Sequence, residues 1–312
     1  LLIILKKIVY VLIIVVINTY ICSYLGAKLS ARMELRRGYR LTRVGGIGFP
    51  AIRLLSYLGR DNSAGIWSFM MFIFSLLLWA VVPFSTELSL IDMDSNLIAA
   101  LLFLLIIIIL NIAGLDRTRY GIVWGLASKK IISVLFLIIP FFLSIASLIL
   151  VSRTFNLKEI VDIQRDYWNV AYQPLGFIIA ILSTVLIFRV IGLNREGRQG
   201  LSAIDRSEGT WFSGVISKFS RYSIILFMIY LITLLYIGGY KNMYFIRGDV
   251  MLGIKFYIVF VFILFAGKAL GSNISGEGIF MRICGKFLIP LSIANFVVTL
   301  GFFIYRNIYG LI

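Results

Sequence analysis

The side chains available for chemistry in this chain make a short list. There is no histidine among its 312 residues, so no imidazole can ligate haem, copper, zinc or a di-iron pair, and the cytochrome b, haem–copper oxidase and metallo-hydrolase readings fall together. Cys22 and Cys284 are far apart and sit in or beside apolar stretches, which leaves neither a thiolate cluster nor a disulfide framework. Neither a Walker-type nor a G-x-G-x-x-G phosphate loop is found. The expectation is a chain with no metal, no covalently bound cofactor and no catalytic side chain, through which electrons do not pass.

What remains is charge placed in particular segments. After the first apolar run the chain reads Glu34-Leu-Arg36-Arg-Gly38-Tyr-Arg40-Leu-Thr-Arg43-Val-Gly-Gly46-Ile-Gly48-Phe49-Pro50-Ala-Ile-Arg53. Four glycines within eleven residues permit sharp turns, and Pro50 can open a helix. Beyond it Ile52 and Leu55, with Leu54 and Leu58, make an apolar stripe that leaves Arg53 and Arg60 outside, the pattern of an amphipathic helix in the headgroup plane. The segment is either a basic anchoring loop or a gate where an apolar ligand enters from the lipid. A second polar stretch, Arg189 to Arg221, holds Glu196, Asp205 and Glu208 among six basic residues and five glycines; it is either a solvated loop or a docking surface for a peripheral partner. Two further sets lie near bilayer depth, where charge is costly and faces protein or water. Lys255 is close enough to a span end to snorkel, and Asp116 can pair with Arg117 or Arg119. For both, structural pairing and ion conduction stay open.

A membrane scaffold must position these groups. The chain is 61% hydrophobic and 14% charged, with a mean hydropathy of +1.00, whereas soluble globules are about a quarter charged. Apolar runs long enough to span a bilayer predict eight helices: Leu1 to Leu25, Ile66 to Phe84, Leu97 to Gly114, Ile131 to Val151, Pro174 to Arg189, Ser223 to Gly239, Val250 to Leu270 and Phe287 to Tyr305. Each is apolar all round rather than on one stripe, as lipid-facing helices are. The fold class is therefore all-α, a polytopic membrane protein of about eight transmembrane helices with an interfacial amphipathic helix in the first loop. The first run is too long for a cleavable signal, lacks an A-x-A exit and meets a basic loop at once, so it is read as a retained anchor. No repeat, Pro-rich linker or low-complexity tail divides the chain, and residues 1–312 are taken as a single integral membrane domain.

Most of the 30 basic residues fall in the loops after the first, third, fifth and seventh spans. Positive residues stay on the side of insertion, so both termini face outside. The net charge of +16 follows from this topology and from anionic lipid as a partner; no nucleic acid is implied, because no binding module lies outside the spans.

The order of segments resembles the respiratory complex I membrane protein family called NADH dehydrogenase subunit 1, which in bacteria is the H-type subunit of NADH-quinone oxidoreductase. In the first loop the family shows R-x-G-P and then G-x-x-x-P, which Arg36, Gly38, Gly46 and Pro50 meet at the same spacing. Tyr120-Gly-Ile, then Phe155-Asn-Leu, Gln164, Trp168 and Pro174-Leu-Gly-Phe177 are similar to further stretches, and Leu186-Ile-Phe-Arg189 aligns with the family's E-T-N-R. The most specific block is Met281-Arg-Ile-Cys-Gly-Lys286-Phe-Leu-Ile-Pro290-Leu-Ser-Ile-Ala-Asn295, like the family's M-x-x-x-W-K-x-x-L-P-L-S-L-x-N. Lys255 matches a lysine that the family carries in its seventh helix. The departures fall on acidic positions: E-R-K at the end of the first helix becomes Gly26-Ala27-Lys28, a Gln and an Asp become Phe49 and Arg53, a glutamate falls in Leu137 to Pro140, and the glutamate of E-T-N-R becomes Leu186. The acidic string of the fifth loop survives as Asp205 and Glu208.

The resemblance implies a quinone-chamber subunit of NADH:ubiquinone oxidoreductase, forming the ubiquinone access tunnel and linking the peripheral redox arm to the proton-pumping membrane arm. Ubiquinone is then the substrate, and NADH, FMN and iron–sulfur clusters belong to partner subunits. Quinone-chamber candidates are Arg36, Gly38, Phe49, Pro50, Arg53 and Arg189; proton-route or loop candidates are Asp205, Glu208 and Lys255; Met281 and Lys286 are candidates for contact with quinone-reducing peripheral subunits or adjacent membrane subunits. The alternatives are a stand-alone transporter or anion channel, which eight helices and a positive inner face also suit, and the membrane subunit of an energy-converting hydrogenase. An Ile, Phe, Tyr and Lys bias and a first residue Leu rather than Met point to an AT-rich organelle gene with trimming or a non-standard start, hence to the mitochondrial inner membrane, with a bacterial inner membrane as the alternative.

Overall fold

The computed structural model describes residues 2–33, 66–85, 88–91, 93–117, 124–164, 167–190, 211–241, 247–269 and 277–308. Every regular element among them is helical: α1 (Leu2–Met33), α2 (Ile66–Ala80), α3 (Asn96–Arg117), α4 (Trp124–Ser152), α5 (Leu157–Ile163), α6 (Asn169–Tyr172), α7 (Pro174–Val190), α8 (Trp211–Tyr236), α9 (Gly248–Ala269), α10 (Glu277–Ile283), a π-helical turn at Cys284–Leu288, and α11 (Ile289–Ile308). In hydrocarbon the backbone must satisfy its own hydrogen bonds, which a helix does within one segment. The stretches 6–33, 131–152, 219–236, 248–269 and 279–308 are long and apolar enough to cross a membrane, and shorter apolar helices cover Phe69–Ala80, Asn96–Asn111 and Pro174–Phe188. The chain is thus an all-α, multi-pass membrane protein, and each of the eight expected spans falls on a helix. The expected amphipathic helix after Pro50 lies outside the described residues.

The helices alternate in direction, as contacts at one end of the bundle establish. There Leu97 N donates to Phe155 O at 3.1 Å, Arg153 Nη2 donates to Asn307 Oδ1 at 2.7 Å, and the start of α1, the end of α2 and the start of α9 line one cavity. This end carries the start of α1 and the end of α11. The opposite end is where the basic loops leave.

Two helices explain the packing. In α8 83% of the most apolar stretch is buried, against 22% in α1 and 17% in the α10–α11 rod, so α8 is a central pillar and the other two are outer walls. The second is α4, which carries Pro140 inside it. Proline has no N–H to give the carbonyl four residues back, and Phe136 O accepts from Cys284 Sγ at 3.6 Å instead. Gly285 lies over the same place, where a Cβ would meet the Phe136 ring at 3.3 Å.

The final span differs from expectation in two ways. The rod begins at Glu277 rather than Phe287, so Arg282 and Lys286 sit on helix and not in a loop. The π-helical turn adds a residue to the register, after which α11 buries Ser292, Asn295 and Thr299 and exposes Val297, Val298 and Phe302. It is apolar on the outside and polar within, not uniform all round, because its inner face meets a polar layer.

Candidate functional site

Among the described residues the interior charge is carried by one side chain. Lys255 is 5% exposed, and no other Asp, Glu, Lys or Arg among them is buried. Its side chain reaches toward the span end, as snorkelling expects, but is covered there rather than solvated: Nζ lies 3.3 Å from Gly239 O and 5.1 Å from the centre of the Trp168 ring. The turn that receives it is built on Gly238 and Gly239, whose φ angles of 75° and 44° favour glycine. A Cβ on Gly238 would stand 2.9 Å from Trp168 Cδ1. The ammonium is held by a carbonyl, by an aromatic face and by the negative end of the α8 dipole.

The α5–α6 connection fixes this turn. The last carbonyls of a helix lack intrahelical donors. Gln164 Nε2 donates to Leu234 O at 3.0 Å and Asn169 Nδ2 to Leu235 O at 2.8 Å, while Gln164 Oε1 accepts from Gly238 N at 2.8 Å. Two amides therefore cap the pillar and bring Trp168 over Lys255.

A second polar layer joins α4, α7, α8 and α11. Gln173 Nε2 donates to Ser147 O at 2.9 Å and to Thr299 Oγ1 at 3.3 Å; Asn295 Nδ2 donates to Ser147 Oγ at 2.9 Å; the Tyr236 hydroxyl donates to Ser144 O at 3.0 Å. Gly176 makes the approach possible, since a Cβ there would lie 3.0 Å from the Tyr236 oxygen. A third layer joins α2, α3 and α8. Asn111 Nδ2 donates to Ser220 Oγ at 2.6 Å, Ser75 Oγ to Ser220 Oγ at 3.2 Å and Trp79 Nε1 to Ser223 Oγ at 2.7 Å. Asn111 Oδ1 and Tyr24 Oη are buried without a hydrogen-bond partner. These layers can position water and dipoles, but neutral amides and hydroxyls do not hold charge.

Leu137 and Leu186, in the stretches where the family pattern places glutamates, are dry: 0% and 2% exposed. The substitutions suit that dryness, because an ionised carboxylate buried there would have to find a cation to pair with. Of the sequence-derived site residues, Arg36, Gly38, Phe49, Pro50, Arg53, Asp205 and Glu208 lie outside the described residues, as does Arg119. Arg189 belongs to α7 and Asp116 and Arg117 to α3. Met281 is half-buried, its Sδ accepting from Ser133 Oγ at 3.2 Å, and Lys286 is exposed.

Sequence reasoning missed Asn169, Ser147, Gln173 and Ser220, and took Gln164 and Asn295 only as points of family likeness. For α11 a signal existed, since Ser292, Asn295 and Thr299 follow the i, i+3, i+7 spacing of one helix face. For the capping roles of Gln164 and Asn169 none did: their partners lie 70 and 66 residues away.

A sequence model of the family described as NADH dehydrogenase matches residues 6–300. The chain is similar to the H-type subunit of the NADH-quinone oxidoreductase of Bacillus thuringiensis (strain Al Hakam), 29% identical over 232 residues that cover 70% of this chain and 67% of that protein. The proteins of the same name from Bacillus cereus (strain AH187) and Bacillus anthracis (strain CDC 684 / NRRL 3495) match to the same extent.

Proposed function

The chain belongs to the NADH dehydrogenase family, and from that membership we propose that it is the quinone-chamber membrane subunit of an NADH:ubiquinone oxidoreductase, a respiratory complex I, and so part of an H+-translocating enzyme. The observation that carries the proposal is the reach of the likeness. Residues 6–300 take in the basic first loop, the central pillar and the final rod together, which one shared motif would not. The relatives' name adds the kind of assembly, hence its partners: quinone-reducing peripheral subunits, with their NADH, FMN and iron–sulfur clusters, and adjacent membrane subunits. The relatives named are bacterial; they lend no support to the mitochondrial inner membrane, and a bacterial inner membrane fits them.

In this reading ubiquinone enters from the bilayer between α1, the surface helix expected after Pro50 and the basic-loop end of α7. Arg36, Arg53 and Arg189 form a cationic lining that stabilises the anionic reduced quinone before its protonation, a placement of positive charge where negative charge develops. Gly38, Phe49 and Pro50 shape the mouth. Electron transfer is the work of the partners' cofactors; this chain binds, orients and excludes water. The link toward the proton-pumping arm passes through Asp205, Glu208 and Lys255, and the burial of Lys255 supports that place for it. Met281 and Lys286 meet neighbouring subunits, anionic lipid meets the basic loops, and residues 1–312 act as one integral membrane domain.

The test is made in the assembled complex. Arg36→Ala or Arg53→Ala should lower NADH:ubiquinone activity about tenfold, the scale of one charge-assisted interaction, and leave flavin-site NADH oxidation by ferricyanide unchanged. Equal loss of both activities, or a chain that migrates on native gels as a free small oligomer, would overturn the proposal.

A further inference from the structure

At the termini end, opposite the proposed quinone chamber, the bundle holds a cavity of about 460 Å³ between α1, the α2–α3 connection, α8 and α9, within the ~300–1,000 Å³ of ordinary ligand sites. Its polarity is graded. The rim carries Lys7, Ser85 and Asp249; the depth is lined by Trp79, Phe84, Tyr230 and Phe256. The polar atoms of the deep rings are already engaged: Trp79 Nε1 donates to Ser223 Oγ and the Tyr230 hydroxyl donates to Pro83 O at 2.6 Å. Asn18, at the bottom, is likewise satisfied, its Oδ1 accepting from the Tyr257 hydroxyl at 2.7 Å and its Nδ2 donating to Ile14 O at 3.0 Å. The floor therefore offers hydrocarbon and ring faces, and the charge is confined to the mouth.

The depth matches one leaflet. From Lys7 to Asn18 along α1 is ~16 Å at 1.5 Å per residue, about half the ~30 Å hydrocarbon core. The flanking surface faces outward: Tyr10, on the cavity wall, is 55% exposed, and Val250 beside Asp249 is 56% exposed. An amphiphile as long as one leaflet, with both signs of charge in its head, complements the cavity in length, polarity and charge.

We infer that the cavity between α1 and α9 seats one acyl chain of a zwitterionic phospholipid with a primary amine, phosphatidylethanolamine in type, its phosphate at Lys7 and its ammonium at Asp249. Asp249 also faces Arg247, 4.0 Å away, with both side chains largely exposed, so a headgroup amine has access to the carboxylate. A choline headgroup has no N–H to donate to Asp249, and an anionic glycerol headgroup brings no ammonium to it. The site is independent of the quinone chamber, and its occupant stays in place during turnover.

Gly253 supplies the test, because it lines the cavity and a Cβ placed on it meets nothing within 4 Å. The assembled protein is purified in mild detergent, exchanged into nanodiscs of equal phosphatidylethanolamine, phosphatidylcholine and phosphatidylglycerol, re-extracted, and its retained lipid counted by native mass spectrometry. The wild type and Gly253→Ala should keep about one phosphatidylethanolamine per chain. Gly253→Leu, whose side chain fills the cavity, should lower that about tenfold, and Asp249→Asn should remove the preference over phosphatidylcholine. If Gly253→Leu does not assemble, the headgroup preference of Asp249→Asn decides. Equal retention in the variants, no phospholipid on the wild type, or loss of an isoprenoid quinone in place of a phospholipid would overturn the inference.

Discussion

The Lys255 ammonium stands 5.1 Å from the centre of the Trp168 ring, joining the extramembrane connection between α5 and α6 to a transmembrane helix through a single cation–π contact. The contact and the carbonyl of Gly239 are what the structure offers a buried charge there, so its two partners are not equivalent. Trp168→Ala leaves the charge and removes its aromatic face, and should cost about 1–2 kcal/mol. Lys255→Met removes the charge with its desolvation burden and should cost less. Thermal denaturation of the purified protein in detergent checks the order; a more damaging Lys255→Met would contradict the account given of this cluster.

Gly176 is held against Tyr236, and the close approach predicts coupling. Gly176→Ala pushes a methyl to 3.0 Å from the phenol oxygen and should destabilise by about 1–3 kcal/mol. In a Tyr236→Phe background that oxygen is absent, so the same change should cost at least 0.5 kcal/mol less, roughly the lower end of coupling between touching residues. Additive effects in a double-mutant cycle would place the strain elsewhere.

The thiol of Cys284 answers a carbonyl that Pro140 leaves without a helical donor. Cys284→Ala should cost about 1–3 kcal/mol through the unpaired Phe136 carbonyl. Pro140→Ala returns an N–H to that carbonyl, and Cys284→Ala made on top of it should cost markedly less. Unfolding of the two single variants and the pair in one detergent distinguishes this from simple loss of thiol volume, for which the cost would be the same in both backgrounds.

Much of the fold is legible in the sequence because hydrocarbon imposes one rule on every segment: an apolar run of sufficient length is a helix. What the runs conceal is where helices continue past the apolar stretch. Arg32 lies in the last turn of α1, and Arg282 and Lys286 in the rod, since charge interrupts hydropathy without interrupting a helix. The covering of Lys255 was not legible either. It depends on a Gly-Gly turn and a tryptophan brought in from 87 positions earlier in the chain, and neither leaves a period in the sequence. The polar face of α11 was open to reading from the spacing of Ser292, Asn295 and Thr299. The arginines of the first loop are legible as a pattern of charge and glycine, and their arrangement is what the quinone assay addresses.

The enclosure of α8 bears on how the protein is made. Because it meets acyl chains almost nowhere, the sixth membrane helix to leave the ribosome must slot between five that precede it, and those five cannot close ranks beforehand. A chain halted short of Trp211 would expose the hydroxyl of Ser75 and the amide of Asn111 to hydrocarbon, a defect that membrane quality control can detect without reading the sequence.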